Sequence, residues 1–330
     1  MPHSKLIYLC AADVRKALPM SDAVEAMKQA FAELSSGKAI VPQRIHMPLP
    51  HAGGDVLFMP AAGIEAGQIT MKIITLFEGN HAKGLPFIQA IVTLLDGEDG
   101  RPLAIMDGAS LTAIRTGAAS GAATDLLARK DAESVAIFGA GAQAQTQLEA
   151  VCAVRPIVRA SVYDYSTIAA VEFENEMSQR LSIPVTAATS PKANLAGADI
   201  VCTATTSETP VFDDADLEPG THINAVGSYK PHVREVPAET VVRARVVVDE
   251  ISAILEEAGD LLMPMHDGLI SRDHIRAELG EIVLGQKVGR HDDAEITFFK
   301  SVGVAIQDLA AAGRILTNAR RDGLGIELQR

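Results

Sequence analysis

The chain has 330 residues, 48% hydrophobic and 22% charged, with a formal net charge of −13. That is the composition of a globular protein with room for one large domain or two ordinary ones, and its acidity excludes the basic footprint of a nucleic-acid binder and disfavours anionic membrane surfaces. The three cysteines, Cys10, Cys152 and Cys202, form neither a metal spacing nor a disulfide framework, no apolar run is long enough to span a bilayer, and the N-terminal one is too short for a signal peptide, so a cytoplasmic location is expected.

Residues 1–120 read as a first domain. A short strand at 6–9 is followed by helical stretches at 13–17 and 21–35; the second has Ser21 as a candidate cap and Ala23, Met27, Ala30, Phe31 and Leu34 on one face. Residues 41–50 are Pro-rich and extended, and they carry Arg44 and His46. Strands at 55–60, 69–76, 87–95 and 102–106, separated by Gly-, Asn- and Asp-rich turns, suggest an antiparallel meander. An Ala-rich helix over 111–129 follows, with Ala113, Gly117, Ala118, Gly121 and Ala122 small enough for close packing on a neighbour. Three cations stand out against this background: Arg44 in the extended stretch, Lys72 and Arg115. Lys72 interrupts an apolar strand, and a buried cation needs an anionic partner. Arg115 is the only charge between Asp107 and Asp125 on a helix built for burial. An Arg-plus-Lys cluster suits a carboxylate, which a guanidinium binds in bidentate fashion.

From residue 133 onward strands and helices alternate, which predicts a parallel doubly wound sheet. A strand at 135–138 runs into Gly139-Ala140-Gly141-Ala142-Gln143-Ala144, the G-x-G-x-x-A spacing of a dinucleotide-binding turn. The first glycine permits the tight turn, the second lets backbone approach a pyrophosphate, and Ala144 lets the helix over 143–154 pack on the strand. That helix points its N-terminal N–H groups at phosphates. A strand at 160–164 ends in Asp164, placed to bind a ribose 2′-hydroxyl. Strand, turn, helix, strand and carboxylate together read as a nicotinamide dinucleotide site. The pattern then predicts a helix at 167–181, strands at 184–188, 199–205, 222–226 and 244–249, a helix at 252–262, a loop region at 259–276 with Pro264 and Gly268, a short strand at 296–299 and a helix at 302–312. The small, charged segment 313–330 is expected to return to the first domain. Thr203 and Thr205 at one strand end, and Val226-Gly227-Ser228 at the next, lie at the carboxyl edge where ligands bind in such sheets, although each also fits an ordinary turn or exit. No metal site is predicted.

Several of these stretches resemble the ornithine cyclodeaminase/μ-crystallin family. They are Lys72-Ile73, Gly84-Leu85-Pro86, residues 103–108, the L-T-A-x-R-T-x-A-x-S run at 111–120, G-A-G-A-Q-A at 139–144, Ile223-Asn224-Ala225-Val226-Gly227 and Ser301-Val302-Gly303. The resemblance implies a two-domain homodimer: a Rossmann-type domain, 121–312, and an α+β substrate-binding and dimerisation domain formed from both chain ends, 1–120 and 313–330. It implies that Arg44, Lys72 and Arg115 hold a substrate carboxylate. The cofactor residues expected on the matching stretches and strand ends are Thr116, Gly139, Gly141, Ala142, Gln143, Asp164, Thr203, Thr205, Val226, Gly227, Ser228 and Gly303. The family spans cyclodeamination, alanine dehydrogenation, ketimine reduction and hormone binding. Cyclodeaminases and related alanine dehydrogenases carry an acid two positions after the glycine of N-A-V-G, where this chain has Tyr229. Without a carboxylate to orient attack on an imine, the G-S-Y-K-P-H-x-R-E pattern at 227–235 looks more like the family's ketimine reductases. That implies NAD(P)H-dependent reduction of a small cyclic imino acid, Δ1-pyrroline-2-carboxylate to L-proline, with a cyclodeaminase, an amino-acid dehydrogenase or a μ-crystallin-like binding protein as alternatives. Lys72 or a water near Ser228 is expected to supply the proton. NAD(H) is favoured over NADP(H), because Asp164 would repel a 2′-phosphate and Tyr165-Ser166-Thr167 offers it no arginine. The expected partners are a small anionic substrate and a second copy of the chain.

Overall fold

The computed structural model describes residues 5–329; residues 1–4 and 330, the outermost positions of the predicted N-terminal and returning segments, lie outside it. In chain order the elements are β1 (Leu6–Leu9), α1 (Ala11–Ala17), α2 (Met20–Ser35), β2 (Ala39–Ile40), β3 (Ile45–Leu49), β4 (Gly54–Gly63), β5 (Gln68–Phe77), β6 (Ile88–Asp96), β7 (Pro102–Asp107) and α3 (Gly108–Leu127). Then come β8 (Ser134–Phe138), α4 (Ala142–Val154), β9 (Arg159–Tyr163), α5 (Thr167–Leu181), β10 (Val185–Ala187), α6 (Pro191–Leu195), β11 (Ile200–Thr203), β12 (His222–Ala225), α7 (Ala238–Arg243) and β13 (Arg245–Val248). The chain closes with α8 (Ile251–Glu257), α9 (Gly259–His266), β14 (Ile275–Glu278), α10 (Leu279–Val283), β15 (Thr297–Lys300), α11 (Ala305–Asp322) and β16 (Ile326–Leu328). Two compact units result: Met1–Arg115 with Val304–Arg330, and Thr116–Gly303.

In the first unit β4, β5, β6 and β7 form the predicted antiparallel meander. The sheet continues in the order β16-β1-β7-β6-β5-β4-β2, with β3 also paired to β4, and β1 runs parallel to β7. Strand alternation turns Thr70, Lys72, Ile74 and Leu76 of β5 inward, where α11 packs across β4, β5 and β6 and against α2. Helix boundaries differ from the sequence pattern, at α2 and α11 among others. α2 begins at Met20 with Pro19 as its N-cap, and Ser21 lies inside the helix rather than capping it. α11 runs straight through Gly313 instead of ending before it. Gly313 faces Gln68 of β5, whose flexible Oε1 is 2.7 Å from where a Cβ would lie. All of α11, not only 313–330, therefore groups with the first unit.

The second unit holds an eight-stranded, wholly parallel sheet in the order β10-β9-β8-β11-β12-β15-β13-β14. The winding goes outward from β8 through β9 to β10 and then restarts at β11 on the other side of β8. The β8/β11 gap is thus the topological switch point, where ligands bind in open α/β sheets. Strands β8, β11, β12 and β15 are buried along their whole length, as expected for a sheet covered on both faces. One face buries Phe138, Val201, Ile223 and Phe298; the other buries Ile137, Leu148, Phe173 and Met177. The predicted helix at 252–262 is two helices, α8 and α9, broken at Ala258. Backbone approach decides the break, since a Cβ on Gly259 would lie 2.1 Å from the Val233 carbonyl oxygen. Pro264, read as a loop marker, is inside α9. The short α6, α7, α10 and β14 lack the length to show a period in sequence.

Candidate active site

In the first unit Lys72 lies in a cross-strand row Met59–Lys72–Val92–Met106 in which every residue is buried. Its Nζ is 2.7 Å from Asp308 Oδ2, and both side chains are essentially inaccessible. Arg115 Nε donates to the other oxygen, Asp308 Oδ1, at 3.1 Å, and Arg115 Nη1 donates to Gln307 Oε1 at 2.8 Å. Gln307 and Asp308 sit in the first turn of α11, where a carboxylate is favoured by the helix dipole. Burial pulls the Lys72 pKa down to about 7; Asp308 opposes this, while Arg115 and Arg44 add to it. Arg44, half-buried in the link between β2 and β3, is therefore close enough to act on Lys72. Lys72 and Arg115 are brought together on the one Asp308 carboxylate, and Arg44 lies near enough to affect Lys72. An excess of positive charge in a dry setting is suited to an anionic ligand.

Asp308 and Gln307 escaped the sequence reading. The available signal was an acid in the apolar run Ala305-Ile306-Gln307-Asp308-Leu309, on the same logic that singled out Lys72. Its partner lies at the other end of the chain, so only folding pairs them.

In the second unit Gly139 has φ +96°, and a Cβ there would be 2.6 Å from the Ala204 carbonyl oxygen. Both facts restrict the position to glycine. Gly141 is the N-cap of α4, and a Cβ on it would meet no atom within 4 Å. No side chain caps this helix, so the first-turn N–H groups, Ala142 and Gln143 among them, remain suited to a phosphate. Gln143 Oε1 is buried without a hydrogen-bond partner. Asp164 accepts from the N–H of Ala140 at 3.0 Å and of Ser166 at 2.8 Å, which pins the glycine turn and still leaves lone pairs on a half-buried carboxylate. Gly117 is equally constrained: a Cβ would approach the Thr146 carbonyl oxygen to 2.4 Å, so α3 and α4 touch backbone to backbone, and Gln147 Nε2 donates to the Thr116 carbonyl at 3.3 Å. The residues present fit a dinucleotide.

Farther along the same carboxyl edge the expected roles change. The hydroxyls of Thr203 and Thr205 donate to Glu235, so they are turned into the protein rather than toward a ligand. Ser228 Oγ donates to the Val233 carbonyl at 2.7 Å, and the residue is buried. Its proton is committed, which makes Ser228 an anchor and not an acid. Its N–H donates to Glu235 and its carbonyl accepts from Lys300 Nζ at 2.6 Å. Val226 is held by its N–H donating to Thr203 at 3.0 Å. Gly303, at φ +78°, donates its N–H to the buried Asp249 at 2.8 Å. His222 lies between Thr297 and Asn224, and burial lowers its pKa to about 3. Among the described residues no group of three His, Cys, Asp or Glu side chains is arranged to hold a metal ion, and no helix is long and apolar enough to cross a membrane.

A model of the ornithine cyclodeaminase/mu-crystallin family matches residues 4–323. A Δ1-pyrroline-2-carboxylate reductase from Bacillus cereus is 38% identical over 327 residues, covering 98% of this chain and 100% of that one. Among solved structures, Thermococcus litoralis Δ1-pyrroline-2-carboxylate reductase in complex with NADH and L-proline aligns with a TM-score of 0.94 at 42% identity, covering 98% and 100% of the two chains. An archaeal alanine dehydrogenase dimer with bound NAD aligns with a TM-score of 0.91 at 34% identity, covering 98% and 99%.

Proposed function

Because the chain belongs to the ornithine cyclodeaminase/mu-crystallin family, we propose that it reduces a small cyclic ketimine acid, Δ1-pyrroline-2-carboxylate, to L-proline. The similarity to Δ1-pyrroline-2-carboxylate reductases along nearly the whole chain supports this, as does Tyr229 at the position where the cyclodeaminases carry an acid. The observation that carries the reading is Lys72: a buried ammonium with a pKa of about 7, in a cluster whose surplus charge is positive. Arg44 and Arg115 hold the substrate carboxylate, and Lys72 lies beside it. Reduction of C=N requires a hydride on the ring carbon and a proton on the nitrogen. A nicotinamide dinucleotide, when bound on the carboxyl edge of the second sheet, supplies the hydride. Lys72 supplies the proton; the neutral amine it leaves is tolerated because burial has already lowered the cost of losing that charge. Orientation of the reactants accounts for much of the rate, worth about 7–11 kcal/mol for well-aligned partners.

Asp164 supports a preference for NAD(H), since its remaining lone pairs suit a free 2′-hydroxyl and its charge repels a phosphate. An outward row on the first sheet, Ile45–Phe58–Ile73–Ile91, with Ile45 and Ile91 exposed, supports a homodimer. The free thiols Cys10, Cys152 and Cys202 support a cytoplasmic setting. NADH oxidation measured against five- and six-membered ketimine acids tests the function: turnover is expected with the five-membered ring, and inertness toward every ring acid would sink it. Release of ammonia and proline from L-ornithine with NAD+ would instead mark a cyclodeaminase.

A further inference from the structure

We infer that Glu235 is a positioning residue that sets which backbone groups the cofactor's nicotinamide end meets; the inference rests on the dinucleotide reading above. Glu235 is wholly buried and has no part in the reaction as derived. Its carboxylate nevertheless gathers five donors from two strand exits. Oε1 accepts from Thr205 N–H and Thr205 Oγ1, each at 2.7 Å. Oε2 accepts from Thr203 Oγ1 at 3.0 Å, Gly227 N–H at 2.8 Å and Ser228 N–H at 3.0 Å. The acid is itself held: its own N–H donates to Asp260 Oδ1 at 2.7 Å, and Asp260 Oδ2 pairs with the buried Lys300 at 2.7 Å. Gly227 is built to this contact, since a Cβ there would lie 2.5 Å from Glu235 Oε1 and 2.4 Å from the Thr205 carbonyl oxygen.

The consequence follows from peptide geometry. In a trans peptide the N–H and the C=O point in opposite directions. The N–H groups of Gly227 and Ser228 both point at Glu235, so the carbonyls of Val226 and Gly227 point away from it. What this exit of β12 can offer a ligand is carbonyl oxygen, and a ligand docking there must donate. The primary carboxamide of nicotinamide has an NH2 group that does so. A leucine at 235, of similar length, would offer the N–H groups of Gly227 and Ser228 no acceptor, and at least one of these two peptides would have to turn.

The test is calorimetric binding of NADH and of its reduced 3-acetylpyridine analogue, in which a methyl replaces the carboxamide NH2. The wild-type protein is expected to prefer NADH by about fivefold or more, the size of one neutral hydrogen bond. Glu235→Leu is expected to weaken NADH binding and to bring the two affinities within about twofold. Equal wild-type affinities overturn the inference, and so does a Glu235→Leu protein that keeps the wild-type ratio while only its Tm falls. If that variant does not fold, the wild-type ratio decides alone. A wild-type protein that binds neither dinucleotide would defeat the dinucleotide reading itself, whereas equal binding of both defeats only the role of Glu235.

Discussion

Lys72 Nζ and Asp308 Oδ2 stand 2.7 Å apart, one on the middle of an antiparallel meander and the other on the first turn of the C-terminal helix. The pair is not a balanced ion pair, because Arg115 takes the second oxygen of the same carboxylate. Desolvation therefore wins over attraction, and the lysine pKa is lowered to about 7. That value suits the proton transfer proposed for Lys72 at neutral pH, and the first two predictions follow from its sign.

Lys72 is protonated below about pH 7 and neutral above it. Ketimine reduction consumes the proton, so its kcat/KM should fall as pH rises through about 7; proline oxidation needs the neutral amine and should rise over the same range. Lys72→Arg, which stays charged, should lose the inflection together with most of the activity. A reduction profile flat from pH 6 to pH 8 (about one unit either side of the inflection) would remove Lys72 from the proton path.

Asp308 is the partner that raises the Lys72 pKa. Asp308→Asn should shift the reductive limb to lower pH. It should also destabilise the fold by about 3–5 kcal/mol, because two buried cations lose their counter-charge. A pH–rate profile and a melting curve on the same preparation check both effects.

Arg44→Ala should raise the KM for the ketimine acid by about 10- to 100-fold, the worth of one charge-assisted hydrogen bond. NADH affinity should be unchanged, since Arg44 belongs to the first unit and the predicted cofactor residues to the second. A parallel loss of NADH affinity would count against the assignment.

Asp164→Ser removes the charge facing a 2′-phosphate while leaving a small acceptor. The ratio of kcat/KM for NADH over NADPH should fall by about tenfold or more. An unchanged ratio would mean that cofactor choice is made elsewhere.

Gly117→Ala puts a Cβ 2.4 Å from the Thr146 carbonyl oxygen at the contact of α3 with α4. Backbone cannot yield as a flexible side chain does, so a loss of about 1–3 kcal/mol is expected. A melting temperature equal to wild type would show that the two helices can separate freely.

Much of this protein is legible in its chain because the deciding forces are local. Alternation in β5, the apolar runs of β8 and β11 and the glycine spacing at 139–144 each carry their structure within a few residues. The same holds for the cations: Lys72 and Arg115 were conspicuous as charges in apolar surroundings. Tertiary structure decided the rest. Gly313 and Gly259 read as breaks, but one lies within a helix and the other starts one, at Gly259 because of an approach of backbone that no local pattern encodes. The hydroxyls of Thr203, Thr205 and Ser228 were placed by sequence at the carboxyl edge and given their partners only by Glu235 and the Val233 carbonyl. Asp308 meets Lys72 across most of the chain's length, and the proton affinity of the lysine depends on how completely the fold excludes water from that meeting. Which residues are charged is written in the sequence; how strongly each holds its proton is a property of the space that folding closes around it.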